Sequence, residues 1–267
     1  LSGELPINAS TSRRLYVGGE TADGYIHNRA LNRSDTGGWH GWFGCIKLLH
    51  KDSAGGEWRF SMHHMLNHGG NDFFETPQHA RNHVSYNTSE GVNDTEYLIG
   101  SAQYHRRFSQ HMILDFTFGG ASTDWRYSNP YSVFSANSGF TLPTRQIGGS
   151  VMLSGSSGTL DWKGGIYGQQ VKRWAPYDFD MSPYYASRTT ATLGTANVAF
   201  MGELGWHFSE SWRLVPSLRI EHVDSSLSNW TSTMSGDTPY AYSMEESLPR
   251  QTLSKTAPLP GLKLEYN

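Results

Sequence analysis

The sequence predicts an all-β chain, an antiparallel up-and-down β-barrel that crosses a membrane. Three observations predict it. Apolar and polar residues alternate with period two over long segments. Short and long connections alternate between those segments. Aromatic rings gather beside the short connections. Composition agrees, because the 267 residues include 29 Gly, 9 Trp, 14 Tyr and 12 Phe, while charged residues make up only 17%. That balance excludes a disordered chain and a helical bundle. The single Cys45 excludes an intrachain disulfide framework and a zinc ribbon. A net charge of −3 leaves no general nucleic-acid footprint. No run of about 18 apolar residues offers a transmembrane helix, but a membrane-crossing strand escapes that test.

The elements follow in order. A first strand is expected near residues 14–19. Next, Trp58, Phe60 and Met62 alternate with Arg59, Ser61 and His63. Met112, Leu114, Phe116 and Phe118 alternate with the polar His111, Asp115 and Thr117. Leu160, Trp162 and Ile166 alternate with Asp161 and Lys163. Val198, Phe200, Leu204 and Trp206 form a further stripe, and Trp212, Leu214, Leu218 and Ile220 another. Each reads as a strand with one apolar face. Turns rich in Gly, Ser and Asp join them in pairs near residues 52–56, 107–110, 155–158 and 207–211. Long connections are expected over residues 69–94, 128–144, 173–189 and 229–254. About ten strands result: one at the start, four hairpin pairs, and a last one from Leu259. Segments 109–127 and 160–173 are far longer than an ordinary strand and suit a tilted membrane crossing. Pro216 interrupts a good strand, and a β-bulge is expected there.

Short turns at one end and long loops at the other suit an outer-membrane barrel. Trp206, Phe208, Trp212, Tyr104, Phe108, Trp58 and Trp162 beside the short turns read as an aromatic girdle. Two other readings compete: a complete small outer-membrane barrel, porin-like or adhesive, and a soluble secreted β-sandwich binding module.

Three segments resemble the TonB-dependent outer-membrane receptors. The first is Leu15-Tyr16-Val17-Gly18-Gly19-Glu20-Thr21-Ala22-Asp23-Gly24-Tyr25-Ile26-His27-Asn28, similar to an early barrel strand with its "DGFxxN"-like loop. The second runs from Asn197 to Phe208 and continues with Trp212-Arg213-Leu214 and Leu218-Arg219-Ile220-Glu221-His222, similar to a mid-barrel hairpin, with Ser217 where Gly is usual. The third, Ala257 to Tyr266, is similar to the "LPKLGLxY" strand start. The family barrel has 22 strands around an N-terminal plug. The resemblance therefore implies a partial barrel domain over residues 1–267, with neither plug nor TonB-box segment, and a chain that begins without Met and ends inside a strand pattern. It further implies the bacterial outer membrane as location, lipid and lipopolysaccharide as surroundings, uptake of a ferric siderophore or similar scarce solute, and coupling to TonB for the intact receptor alone.

Ligand contacts are expected in the connection after residue 173. Arg173, Trp174, Tyr177, Phe179, Tyr184, Tyr185 and Arg188 cluster there, and rings with Arg suit an anionic or catecholate-like chelate. For metals, His63 and His64 point to opposite faces of a strand, whereas His79 and His83 have helical spacing. Neither a metal site nor a cofactor is expected. Nor is catalysis: no Gly-x-Ser-x-Gly elbow occurs, and Asp115, Glu203, Glu221 and His222 read as lumen-facing groups.

Overall fold

A computed structural model describes residues 2–72, 76–87, 90–131, 136–181, 184–237 and 242–266. Its strands are β1 (Ser2–Asn8), β2 (Thr11–Ala22), β3 (Ile26–Asn28), β4 (Arg33–Thr36), β5 (Trp39–Lys51), β6 (Gly56–Asn71), β7 (Val84–Ser85), β8 (Gly91–Ser109) and β9 (Met112–Tyr131). They continue with β10 (Ala136–Thr141), β11 (Thr144–Ser157), β12 (Leu160–Trp174), β13 (Tyr177–Met181), β14 (Tyr185–His207), β15 (Trp212–Gly236), β16 (Tyr242–Leu248) and β17 (Gln251–Tyr266). One helical turn, α1 (Pro77–Asn82), stands among them.

Fourteen strands form a single antiparallel sheet, and β3, β4 and β7 form a small separate one. The large sheet has fewer passes than elements. Phe140 faces Tyr177 and Thr144 faces Arg173, so β10 and β11 keep one register against β13 and β12. Trp230 faces Leu248 and Leu227 faces Gln251, so β16 and β17 are likewise one strand. Each of these three passes is interrupted at a proline: Pro143, Pro176 and Pro249. Proline has no N–H to give to the ladder. The sheet is thus eleven neighbouring passes, from β1 at one edge to β16–β17 at the other. Among the described residues no pairing joins β1 to β17, so the sheet is open.

The passes are longer than the sequence suggests. Residues 128–131, 136–141, 177–181, 185–189, 230–236 and 242–248 are strand, not loop. Three of the four expected long connections therefore shrink to tips above extended hairpins. Ser, Thr and Asn in these stretches mark solvent on both faces of a sheet, a composition shared with loops. The bulge expected at Pro216 is absent. Pro216 faces Leu262 in regular register. The register slips instead between Thr190 and Thr192, opposite Asn229, whose φ is +52°. An extra residue in the left-handed region is a bulge geometry that Asn tolerates.

The sheet is one layer thick. Among the described residues only Ile26, Ala199 and Val215 are both apolar and buried. A sandwich would bury its apolar face between two layers. Here that face is open along nine-residue runs: 112–120, 147–155, 160–168, 198–206, 212–220 and 258–266. Across these strands Ile166 faces Phe200, Phe200 faces Ile220 and Ile220 faces Pro258, so the runs form one continuous band. Nine to eleven tilted residues span a bilayer. At the lower end of the band lie Trp58, Tyr104, Trp162, Trp206, Trp212 and Tyr266, beside the short turns. Trp58 packs on Tyr104 at 4.5 Å and Trp212 on Tyr266 at 4.9 Å between ring centroids. This is the expected girdle.

The other face is mostly polar and carries the hollows of the sheet, one of them apolar and lined by Tyr16, Phe43, Met65, Tyr97 and Ile99. Asp161, Lys163, Glu203 and Arg213 line one of them. Asp161 accepts from His207 at 2.7 Å, and Arg213 bonds Glu265 at 2.7 Å. We call this the inner face. Asp115, Glu203 and Glu221 lie on it. His222 does not: it follows the apolar run of β15 on the outer face and bonds Thr256.

Candidate functional site

The residues expected to bind ligand do not form one cluster, because they lie on pleated strands. Alternate side chains of a strand leave opposite faces. From Asp161 and Lys163 the count reaches Val171, Arg173, Tyr177 and Phe179 on the inner face. From Leu160 and Trp162 it reaches Lys172 and Trp174 on the outer face. In β14, Tyr185 shares the inner side with Ala199, while Arg188 shares the outer side with Phe200. The unbroken register across Pro176 carries this count through the interruption.

Contacts agree. Arg188 pairs with Asp178 at 3.3 Å, another outer-face group. Lys172 Nζ lies 4.8 Å from the Trp174 ring centroid. Phe179 and Tyr185 meet at 5.8 Å on the inner side. Tyr184 sits at the tip and is exposed, its N–H donating to the Met181 carbonyl at 3.0 Å. The structure thus brings together Arg173, Tyr177, Phe179 and Tyr185. It separates Trp174 and Arg188 from them.

Three further rings join the inner group from neighbouring passes. Phe140 faces Tyr177 on one side and Tyr127 on the other. Trp125 and Tyr127 pack on Phe140 at 4.9 and 5.2 Å. The Trp125 indole N–H donates to Asn93 Oδ1 at 2.9 Å, which fixes the ring. Sequence reading missed the group because it placed Phe140 in a connection over residues 128–144, and Phe140 is what links Trp125 and Tyr127 to Tyr177. On the same face a cavity of about 730 Å³ runs from β12 across β14 and β15 to β17, lined by Val171, Arg173, Leu193, Thr195, Leu227 and Leu253. Arg173, one of the lining residues, donates from Nε to Thr144 Oγ1 at 3.3 Å. The inner upper wall is therefore a basin: aliphatic floor, one cation, aromatic rim. Such a surface can stack flat rings and hold an anionic group.

A second constellation closes the opposite half of the same end. Asp72 is nearly buried and accepts four hydrogen bonds. Thr36 Oγ1 and Asn28 Nδ2 reach Oδ2 at 2.7 and 3.0 Å. Ser85 Oγ and Asn87 Nδ2 reach Oδ1, both at 2.7 Å. Burial, the largest single influence, pushes the carboxyl up, yet the four donors together outweigh it and hold its pKa below the usual value. Asp72 thereby ties the connection after β2 to the connection after β6. Backbone bonds from His27 to His83 and from Arg29 to Ser85 complete the tie.

Histidines sit apart. His63 faces Cys45 on the inner face, while His64 reaches Glu96 at 2.8 Å on the outer face. His79 and His83 do share a helical turn, but His79 packs on Tyr86 and His83 on Tyr25. Among the described residues no three His, Cys, Asp or Glu side chains converge to hold a metal ion.

Neither a protein-family model nor a curated protein sequence matches the chain. Solved structures do. The ferric yersiniabactin uptake receptor FyuA from Yersinia pestis superposes with a TM-score of 0.79 at 16% identity, over 99% of this chain and 41% of that one. The copper transporter OprC gives 0.68 at 13% identity, over 97% of this chain and 39% of that one. The ferric-catecholate import receptor Fiu from E. coli K12 gives 0.61 at 13% identity, over 98% and 45%. The chain therefore spans about two fifths of the length of these structures. At such identities the likeness establishes the fold: an open stretch of the wall that these receptors close into a barrel.

Proposed function

We propose that this chain is the wall segment of a bacterial outer-membrane uptake receptor, TonB-dependent when whole. The observation that carries this reading is the division of one sheet into an apolar band nine residues wide outside and a polar wall inside, with an aromatic and cationic basin at the long-loop end. A porin-like small barrel fits less well, because the sheet is not closed among the described residues.

The solute, on this reading, is a scarce chelate carrying flat rings and negative charge, such as a ferric siderophore. The contacts are Arg173, Tyr177, Phe179 and Tyr185 with Trp125, Tyr127 and Phe140. Copper, carried by one of the structures of like fold, is the second reading, and the feature that favours it is the thioether of Met181, which faces Tyr185 in the basin. The test is uptake of radiolabelled ferric chelates by cells that carry the parent gene. Loss of uptake in Arg173→Ala with Tyr177→Ala, at unchanged surface abundance, is expected. Undiminished uptake in that double variant sinks the basin as the binding site.

A further inference from the structure

We propose that Cys45, His63 and Met65 form a site for a soft monovalent metal ion of the Cu(I) class on the inner face of the wall. The site lies on other passes than the basin and does not depend on which solute the basin takes. Cys45 in β5 directly faces His63 in β6, and its Sγ lies 3.7 Å from His63 Nε2. Phe43 faces Met65 in the next row, so Met65 stands two residues from His63 on the same face and diagonal to Cys45. Diagonal neighbours across a ladder are within reach of a long side chain. A thiol, an imidazole and a thioether thus share one patch. The third donor is a thioether, so the site differs from the His, Cys, Asp and Glu clusters that the described residues lack.

The surroundings suit such an ion. All three side chains line an apolar cavity of about 840 Å³, with Tyr16, Tyr97 and Ile99 around them. Phe43 stacks on Tyr16 at 5.4 Å between ring centroids, and its ring lies over Gly18, where a Cβ would collide with it. The ring therefore leans away from β6 and leaves the space beside Met65 open. Thiolate and thioether sulfurs select Cu(I), and imidazole completes the set. Among the described residues no carboxylate lines the cavity, so a hard divalent ion finds no carboxylate oxygen there. The row below sets Lys47 against Arg14 on the same face. Two cations beside the site favour the ion of lower charge, because repulsion grows with charge. On binding, the Cys45 thiol gives its proton to water and the thiolate forms the metal–sulfur bond. The thiolate cancels the single charge of the ion, while His63 and Met65 donate lone pairs and stay neutral.

The experiment titrates the chain in detergent with Cu(I) under a reductant, in competition with a chromogenic Cu(I) chelator. Wild type is expected to take one ion per chain. Cys45→Ser should lower the affinity by about a hundredfold, and His63→Ala and Met65→Leu by about tenfold each. Met62→Leu and His64→Ala, on the outer face, should leave it unchanged. X-ray absorption at the copper edge should show both sulfur and nitrogen neighbours. Heat-modifiable migration of each variant on a gel verifies that the sheet is intact. A loss confined to Cys45→Ser, with His63→Ala and Met65→Leu binding as wild type does, reduces the site to a bare thiol and overturns it. Displacement of bound Cu(I) by an equal amount of Zn(II) overturns the soft-metal assignment.

Discussion

Two residues, Asp72 and Arg173, show how little sequence distance says about role. Asp72 is one of many polar residues between β6 and β8, yet four side chains from two connections converge on it. An amide in its place would keep one oxygen for two of the donors and set its NH2 against the other two. Asp72→Asn is expected to cost about 3 kcal/mol of local stability, because donors that lose a charged acceptor remain buried. Faster exchange of the amides of residues 26–36 and 84–87, with the wall unaffected, would verify it. The pH dependence follows from the direction of the shift. A carboxyl lowered in the folded state stabilises above its unfolded pKa, and that stability is lost as pH falls through the folded value. The tie should therefore hold at neutral pH and loosen only in acid below about pH 4. Proteolysis of these connections, scored from pH 7 to pH 3, checks this; cleavage that peaks at neutral pH would contradict it. Arg173 and Trp174 are adjacent in sequence and leave opposite faces. Arg173→Ala should weaken chelate binding at least tenfold, about 1.4 kcal/mol, and Trp174→Ala should leave it unchanged. Titration of chelate binding by the parent receptor decides both.

Among elements, the membrane-crossing strands were legible and the tiers above them were not. The stripes of β9, β12, β14 and β15 show in the sequence because one face meets lipid and the other a polar interior, so alternation survives. Above the band both faces meet water, and nothing forces residues 136–141 or 177–181 to alternate. Proline then misled in both directions. Pro216 suggested a bulge that its regular pairing with Leu262 denies. Pro143, Pro176 and Pro249 do interrupt strands, but leave the register intact. The true bulge rests on Asn229, whose positive φ has no sequence signature beyond the residue type. Asn229→Gly should be neutral to within a few tenths of a kcal/mol. Asn229→Val should cost about 1–2 kcal/mol, since a β-branched residue resists the left-handed region. Thermal melting of the folded form on heat-modifiability gels separates the two. The proposed basin was half legible: the sequence shows the rings and the cation from residue 173 onward, but which of them share a face depends on pairings between distant passes.

Across the whole molecule, the dominant fact is an eleven-pass sheet whose edges, β1 and β16–β17, are unpaired among the described residues. Open backbone edges are sticky in water and costly in hydrocarbon. The 267-residue chain on its own is therefore expected to associate through them in detergent, giving dimers or larger species by light scattering coupled to size exclusion. A monodisperse monomer would show that the edges find partners within the chain. The proline interruptions lie in one row across the sheet. Leu142–Pro143, Ala175–Pro176 and Pro249–Arg250 fall level with the slip at Ala191 and Asn229. The three prolines bring no N–H to that row and mark it as a seam between upper tier and wall, although backbone bonds such as Ala175 N–H to the Ala191 carbonyl at 2.8 Å still cross it. This seam has an evolutionary consequence. On the uptake reading proposed above, substitutions in the upper tier need not disturb the tier that inserts in the bilayer. The two could then vary under separate selection, and a wall of this kind could change what it binds while its membrane anchor stays as it is.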